Sequence, residues 1–176
     1  FRTRNMRNLL GNIGIGHVRY PTQGCASSTE ECQPFYVNAP FGIALAHNGN
    51  LTNADDLRQE LYDTDRRHVN TTSDSEVLLN VLASEISAVT QNGVRLTKEG
   101  VFKAVHEVHR RVRGSYACVA IIAGKGMLAF RDPNAIRPIC WGTQERPDGG
   151  RDIMVSSESV TMIGLGFDVQ GDLAPG

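Results

Sequence analysis

The chain has 176 residues, enough for one domain with a sizeable core, and no apolar run approaches the roughly 20 residues of a membrane-spanning helix. Eighteen basic and nineteen acidic residues leave a net charge of −1, which gives no electrostatic case for nucleic acid or for an anionic membrane surface. With 40% hydrophobic and 21% charged residues, no secretory signal and no C-x-x-C spacing, the composition points to a cytoplasmic globular protein without a zinc site. Its four cysteines, Cys25, Cys32, Cys118 and Cys140, read as reduced thiols.

The opening Phe1-Arg2-Thr3-Arg4-Asn5-Met6-Arg7 is basic and lacks an initiator Met. A transit peptide is one reading; the scarcity of Ser and the early strand pattern favour a chain that starts inside a longer one. Residues 12–20 carry Ile13, Ile15 and Val18 and read as a strand ended by Pro21. A polar loop over 22–34 leads to a short strand at Phe35-Tyr36-Val37. A turn at Asn38-Ala39-Pro40 and a second strand over 41–47 complete a hairpin. That strand is expected to stop at Asn48-Gly49.

Asn53 then reads as the N-cap of a short helix, with Asp55 and Asp56 in its first turn and Leu57 and Leu61 facing inward. Ser73-Asp74-Ser75-Glu76 has the form of a capping box, and Val77, Leu78, Val81, Leu82 and Ile86 follow at helical spacing. Thr97 opens a third helix, with Val101, Phe102, Val105, Val108 and Val112 on one side. Strands follow at 116–123, 127–130, 138–141 and 153–156, with a tight turn at Gly124-Lys125-Gly126. Antiparallel strands flanking a group of helices predict an α+β layered domain, a single one, and not a doubly wound sheet. The last residues, 171–176, end on a turn signal with no closing element.

Three polar clusters carry candidate chemistry. Asn48-Gly49 is either a hairpin turn or a side-chain amide and an unhindered backbone N–H placed side by side, as an oxyanion requires. The turn reading lacks a second strand, because Asn50-Leu51-Thr52 leads into a helix. Arg19, at the end of Gly16-His17-Val18-Arg19-Tyr20-Pro21-Thr22, could grip a carboxylate bidentately or form an internal salt bridge. His17 beside it is a general base or, more simply, a packed histidine. Asp74 is a first-turn acid, a site for an ammonium group, or both. Together these groups describe a pocket for a free amino acid whose side-chain carbonyl is attacked, which glutamine and asparagine satisfy.

At these residues the chain resembles the class II glutamine amidotransferases, and among them the amidophosphoribosyltransferase family. The resemblance rests on Gly14-Ile15-Gly16-His17-Val18-Arg19-Tyr20, Gln33-Pro34-Phe35, Ala46-His47-Asn48-Gly49-Asn50-Leu51, Thr72-Ser73-Asp74-Ser75-Glu76, Arg131-Asp132-Pro133 with Arg137-Pro138, and Ser156-Ser157-Glu158-Ser159, in that order. It implies the four-layer αββα sandwich of N-terminal nucleophile hydrolases, with two antiparallel sheets face to face. It implies that Asn48 and Gly49 form the oxyanion hole, that Asp74 binds the α-ammonium of glutamine and Arg19 its α-carboxylate, and that Thr22 adds a substrate contact. Ala135 stands where the family generally has Gly; if the backbone there needs φ > 0, Ala costs about 1 kcal/mol.

The family's nucleophile is a Cys at the mature N-terminus, activated by its own α-amine, and none of the four cysteines matches it. The resemblance therefore implies a partial glutaminase domain over 1–176, lacking the first strands, the nucleophile and a following phosphoribosyltransferase domain. On that reading the polypeptide alone releases no ammonia from glutamine, and a sheet edge is left uncovered. The implied partners are glutamine and, through the other domain, phosphoribosyl pyrophosphate with Mg2+; no cofactor is implied for these residues, and the full-length enzyme is expected to be a homo-oligomer. Two other readings stay open: a class II enzyme of the glucosamine-6-phosphate synthase or asparagine synthetase type, and a non-catalytic glutamine-binding module. The stretches 66–74 and 114–117 favour the purine-synthesis family by resemblance.

Overall fold

A computed structural model of the chain describes residues 7–18 and 31–176. The first sheet has the order β1-β2-β3-β4, built from β1 (Phe35–Val37), β2 (Ile43–Leu51), β3 (Gly114–Ile122) and β4 (Gly126–Arg131). Three helices lie between β2 and β3 in the chain: α1 (Ala54–Asp63), α2 (Asp74–Val89) and α3 (Lys98–Arg111). The second sheet has the order β6-β5-β7, from β5 (Cys140–Glu145), β6 (Arg151–Ser156) and β7 (Asp168–Asp172), with the short α4 (Ser159–Gly164) packed on it. All pairings are antiparallel, so the α+β reading with two antiparallel sheets holds.

Strand alternation divides the first sheet into two faces. Ile43, Leu45 and Leu51 of β2, with Tyr116, Cys118, Ala120 and Ile122 of β3, join the core beneath the helices. Val77, Leu78, Leu79, Val81, Leu82 and Ile86 of α2 are fully buried there, each worth about 1.5–3 kcal/mol relative to exposure. Ala46 and Asn48 of β2 and Ser115, Ala117 and Val119 of β3 face the other way and line a cleft that residues of β6 also line. Arg111 binds Glu60 at 3.1 Å, Asp65 at 2.8 Å and Glu85 at 2.6 Å, tying α3 to the first two helices.

Several expectations need correction. Residues 13–18 form no strand; Gly14 and Gly16 alternate with the isoleucines and offer no side chains to pack. β2 does not stop at His47 but continues through Asn48 and Gly49 to Leu51, because β3 supplies a partner far downstream: Asn48 pairs with Ala117 and Gly49 with Tyr116. The carboxamide of Asn53 makes no cap. It donates to the Arg111 carbonyl and accepts from Arg113 N–H, both at 2.9 Å, fastening the start of α1 to the end of α3. Phe102 is 57% exposed, since it lies about 100° around the helix from Val101 and off the centre of the stripe formed by Val101, Ala104, Val105 and Val108. β5 begins two residues later than expected, and α4 and β7 were not anticipated. Cys32, Cys118 and Cys140 are free thiols; Cys25 lies outside the described residues.

Ala135 does adopt the left-handed region, with φ 54°. An Ala135→Gly variant should therefore gain stability, by roughly 0.5–1 kcal/mol after the unfolded-state entropy of Gly is subtracted. Urea denaturation of the two proteins measures this, and an equal or lower midpoint for the variant would contradict it.

Candidate active site

The cleft has a volume of about 1710 Å³ and takes its walls from residues 14–18, the second half of β2, the start of α2 and β6. One wall is the edge of β2 beyond the end of β1. β1 pairs only as far as Leu45, so among the described residues β2 has no strand neighbour on that side from His47 onward. In an antiparallel ladder, alternate residues turn N–H and C=O toward one neighbour or the other. The Thr52 N–H donates to the Arg113 carbonyl at 2.9 Å, so the even-numbered residues here face β3. The odd ones, His47, Gly49 and Leu51, face the open edge.

Side chains serve two of these three edge groups. His47 N–H donates to Gln33 Oε1 at 2.6 Å, and Leu51 N–H donates to Asp74 Oδ2 at 3.0 Å. Between them the Gly49 N–H points along the same edge. The Tyr116 N–H and C=O opposite are both engaged by Asp132, at 3.3 and 2.7 Å, which confirms that the Gly49–Tyr116 pair is not a hydrogen-bonded one. Gly49 has φ +154°, and a Cβ there would collide with the Ser115 carbonyl and approach the His47 ring. Only glycine fits.

Asn48 projects from the cleft face of β2, and its Oδ1 accepts from the Arg137 guanidinium at 2.7 Å. Asp74 sits in the first turn of α2, with its side chain 25% exposed. Ser73 caps that helix by accepting from Ser75 N–H at 3.3 Å. The other half of the expected capping box is not made. Glu76 instead accepts from both N–H and side chain of Asn70 and of Thr71, at 2.7–3.1 Å. Burial opposes its charge, but those four bonds outweigh it and hold the carboxyl below its usual range. The loop entering α2 is fixed in this way, and Asp74 with it.

Behind Asp74 lies a small buried network. Ser75 Oγ is 2.9 Å from His47 Nδ1 and accepts from Gln33 Nε2 at 3.1 Å. Burial pushes the His47 imidazole below its ordinary value, against the raising pull of Asp74 and the Ser115 carbonyl. His47 is thus neutral at neutral pH and serves as a packed spacer between β2 and α2.

Of the anticipated residues, Asn48, Gly49 and Asp74 come together on this cleft. Arg19 and Thr22 lie outside the described residues, though the stretch 14–18 leading to them lines the cleft, and half-buried His17 does too. Gln33, Ser75 and Arg137 also belong to the site; Gln33 and Arg137 stand in the quoted motifs, but nothing in the sequence alone gave them a task. Cys118 and Cys140 are buried, and burial pushes both thiols up. A carboxylate, a carboxamide and a glycine N–H on one cleft wall can hold an ammonium group and a developing oxyanion.

A family model for the glutamine amidotransferase domain matches residues 22–163. The chain belongs to that family. Among similar proteins, the amidophosphoribosyltransferase of Escherichia coli (strain K12) is 54% identical over 176 residues, covering all of this chain and 34% of the relative. That of Pseudomonas aeruginosa (strain PAO1) is 56% identical, with the same coverage of each chain. Among solved structures, the glutamine phosphoribosylpyrophosphate amidotransferase from B. subtilis complexed with ADP and GMP matches with a TM-score of 0.67 and 28% identity. That match covers 91% of this chain and 30% of the other. The chain spans about a third of the length of the relatives it matches. Among the described residues, no helix of this glutamine amidotransferase domain is long and apolar enough to cross a membrane.

Proposed function

We propose that this chain is the glutaminase part of an amidophosphoribosyltransferase, acting in the first step of de novo purine synthesis. A cysteine thiolate that none of Cys25, Cys32, Cys118 and Cys140 supplies attacks the side-chain carbonyl of glutamine. Ammonia leaves, and water hydrolyses the thioester to glutamate. Asn48 Nδ2 and Gly49 N–H hold the oxyanion, Asp74 the α-ammonium and Arg19 the α-carboxylate, with Thr22 a further substrate contact. The ammonia then displaces pyrophosphate from phosphoribosyl pyrophosphate to give 5-phosphoribosylamine. That step belongs to a part of the relatives' length that this chain does not span, and Mg2+ would accompany the phosphoribosyl pyrophosphate there. The reading places the enzyme in the cytoplasm as a homo-oligomer.

The observation that carries this reading is the open edge of β2. Gln33 and Asp74 take the N–H groups on either side of Gly49, which leaves the Gly49 N–H, among the described residues, aimed outward beside the Asn48 carboxamide. The identity of 54–56% over the whole chain with two amidophosphoribosyltransferases supports this family over other class II enzymes.

Titration calorimetry with L-glutamine, on the protein expressed from its complete reading frame, tests the pocket. Asp74→Asn keeps an acceptor for Leu51 N–H but removes the charge. It should weaken glutamine binding by about 10- to 100-fold, the worth of a charge-assisted hydrogen bond, while thermal stability stays near that of the parent. No binding of L-glutamine, or equal affinity in the variant, would sink the assignment of Asp74.

A further inference from the structure

We propose that Arg137 is the residue that orients the oxyanion-hole carboxamide: by donating to Asn48 Oδ1, it turns the donor end of Asn48 into the cleft. The inference rests on the glutaminase reading above and deepens it. A carboxamide has one accepting and one donating end, of nearly the same shape, and either can face a ligand. An oxyanion needs the donating end. Nothing in an asparagine alone makes that choice.

A guanidinium makes it, because it carries only donors. Arg137 Nη2 lies 2.7 Å from the Asn48 side chain, so the atom it meets must be the oxygen. A flipped carboxamide would set its NH2 against a cationic N–H and lose a charge-assisted bond. Since the group is planar, fixing Oδ1 on Arg137 directs Nδ2 to the other side of Cγ. Donation to Oδ1 also polarises the amide, which strengthens Nδ2–H as a donor.

Arg137 is itself held in place. Its backbone N–H donates to Asp132 Oδ2 at 3.2 Å. Asp132 is fully buried, and its carboxylate also accepts from the N–H groups of Tyr116, Asn134 and Ile136. The loop from 132 to 137 is therefore wrapped around one carboxylate and anchored to β3, the strand that pairs with Asn48. Arg137 and Asn48 are 89 residues apart in sequence, yet a rigid path joins them. Asp132 and Arg137 act on the reaction only through Asn48, which makes Arg137 a positioning residue.

The test uses the protein from its complete reading frame, with Arg137→Met and Arg137→Lys, each alone and with Asn48→Ala. Arg137→Met should lower kcat for glutamine hydrolysis by about 30- to 100-fold, somewhat less than loss of an oxyanion donor itself, and should change KM less than about threefold. Arg137→Lys, which keeps one donor, should recover kcat to within about tenfold of the parent. In the Asn48→Ala background, Arg137→Met should cost less than about threefold, because both changes remove one function. A full loss in that background, or a rise in KM that accounts for the effect, would overturn the proposal. A crystal structure of Arg137→Met supplies an arm that needs no activity. It should show the Asn48 carboxamide turned or spread over rotamers, and an unmoved carboxamide would overturn the proposal. Absence of glutaminase activity in the parent, with Asn48→Ala neutral for glutamine binding, would instead reject the glutaminase reading while the structural arm still decides the role of Arg137.

Discussion

Replacing Gly49 by Ala should cost about 3 kcal/mol of stability and lower glutamine turnover by about 100-fold. Two independent effects produce the stability loss. The backbone at φ +154° is one that an L-residue adopts only under strain, and a Cβ would meet the Ser115 carbonyl of the paired strand. That carbonyl cannot swing aside as a side chain could, because Ser115 is registered against Asn50 in the β2–β3 ladder. The His47 ring on the other side is also fixed, by its contact with Ser75 Oγ. β2 must therefore shift or bulge at Gly49. The N–H of Gly49 and the side chain of Asn48 move with it, and misplaced donors stabilise a transition state poorly. Urea denaturation reads the first effect, and steady-state glutaminase kinetics on the protein from its complete reading frame reads the second. A variant with unchanged midpoint and unchanged kcat would mean that the β2 edge is neither tight nor functional.

Gly49 also marks the boundary of what the sequence makes legible. Local signals were sufficient for several elements whose partners lie close in the chain. The hairpin of β1 and β2, the Ser73 and Thr97 caps, the buried stripes of α2 and α3 and the turn between β3 and β4 all depend on residues within a few positions of one another. Asn48-Gly49 depends on β3. Read locally, Asn-Gly is a turn; its strand partner comes only after three helices, so the continuation of β2 to Leu51 could not be read from the sequence. Asn53 is a similar case. Its cap role is local and its actual role, bridging to Arg111 and Arg113, is not.

The site divides in the same way. Asn48, Gly49 and Asp74 stand out because each residue type is chemically suited to its task and reads, in the sequence, as the end of a strand or the start of a helix. Gln33 and Arg137 do not stand out. An isolated glutamine or arginine has many bland uses, and only the folded chain sets Gln33 against His47 N–H and Arg137 against Asn48. Residue type identifies groups that touch a ligand better than it identifies groups that hold them.

Asp132→Ala should be among the most damaging substitutions outside the cleft, costing about 3–5 kcal/mol. The carboxylate is fully buried and accepts from four backbone N–H groups, those of Tyr116, Asn134, Ile136 and Arg137. Alanine leaves these donors without their acceptor. Water can reach some of the exposed loop, but not the Tyr116 N–H within the sheet. The pH dependence gives a second check. Burial disfavours the charged carboxyl, yet the N–H groups of Ile136, Arg137, Tyr116 and Asn134 outweigh it and hold the carboxyl below its usual range. A carboxyl lowered on folding contributes stability that is present above the unfolded value of about 3.9 and is lost as pH falls through the lower, folded value. The gap in stability between parent and Asp132→Ala should therefore be largest near neutral pH and shrink below about pH 4. Urea midpoints across that range measure it. A gap that stays constant into acid would show that the charge of Asp132 is not what holds the loop, and the rigid path from Asp132 through Arg137 to Asn48 would then rest on packing alone.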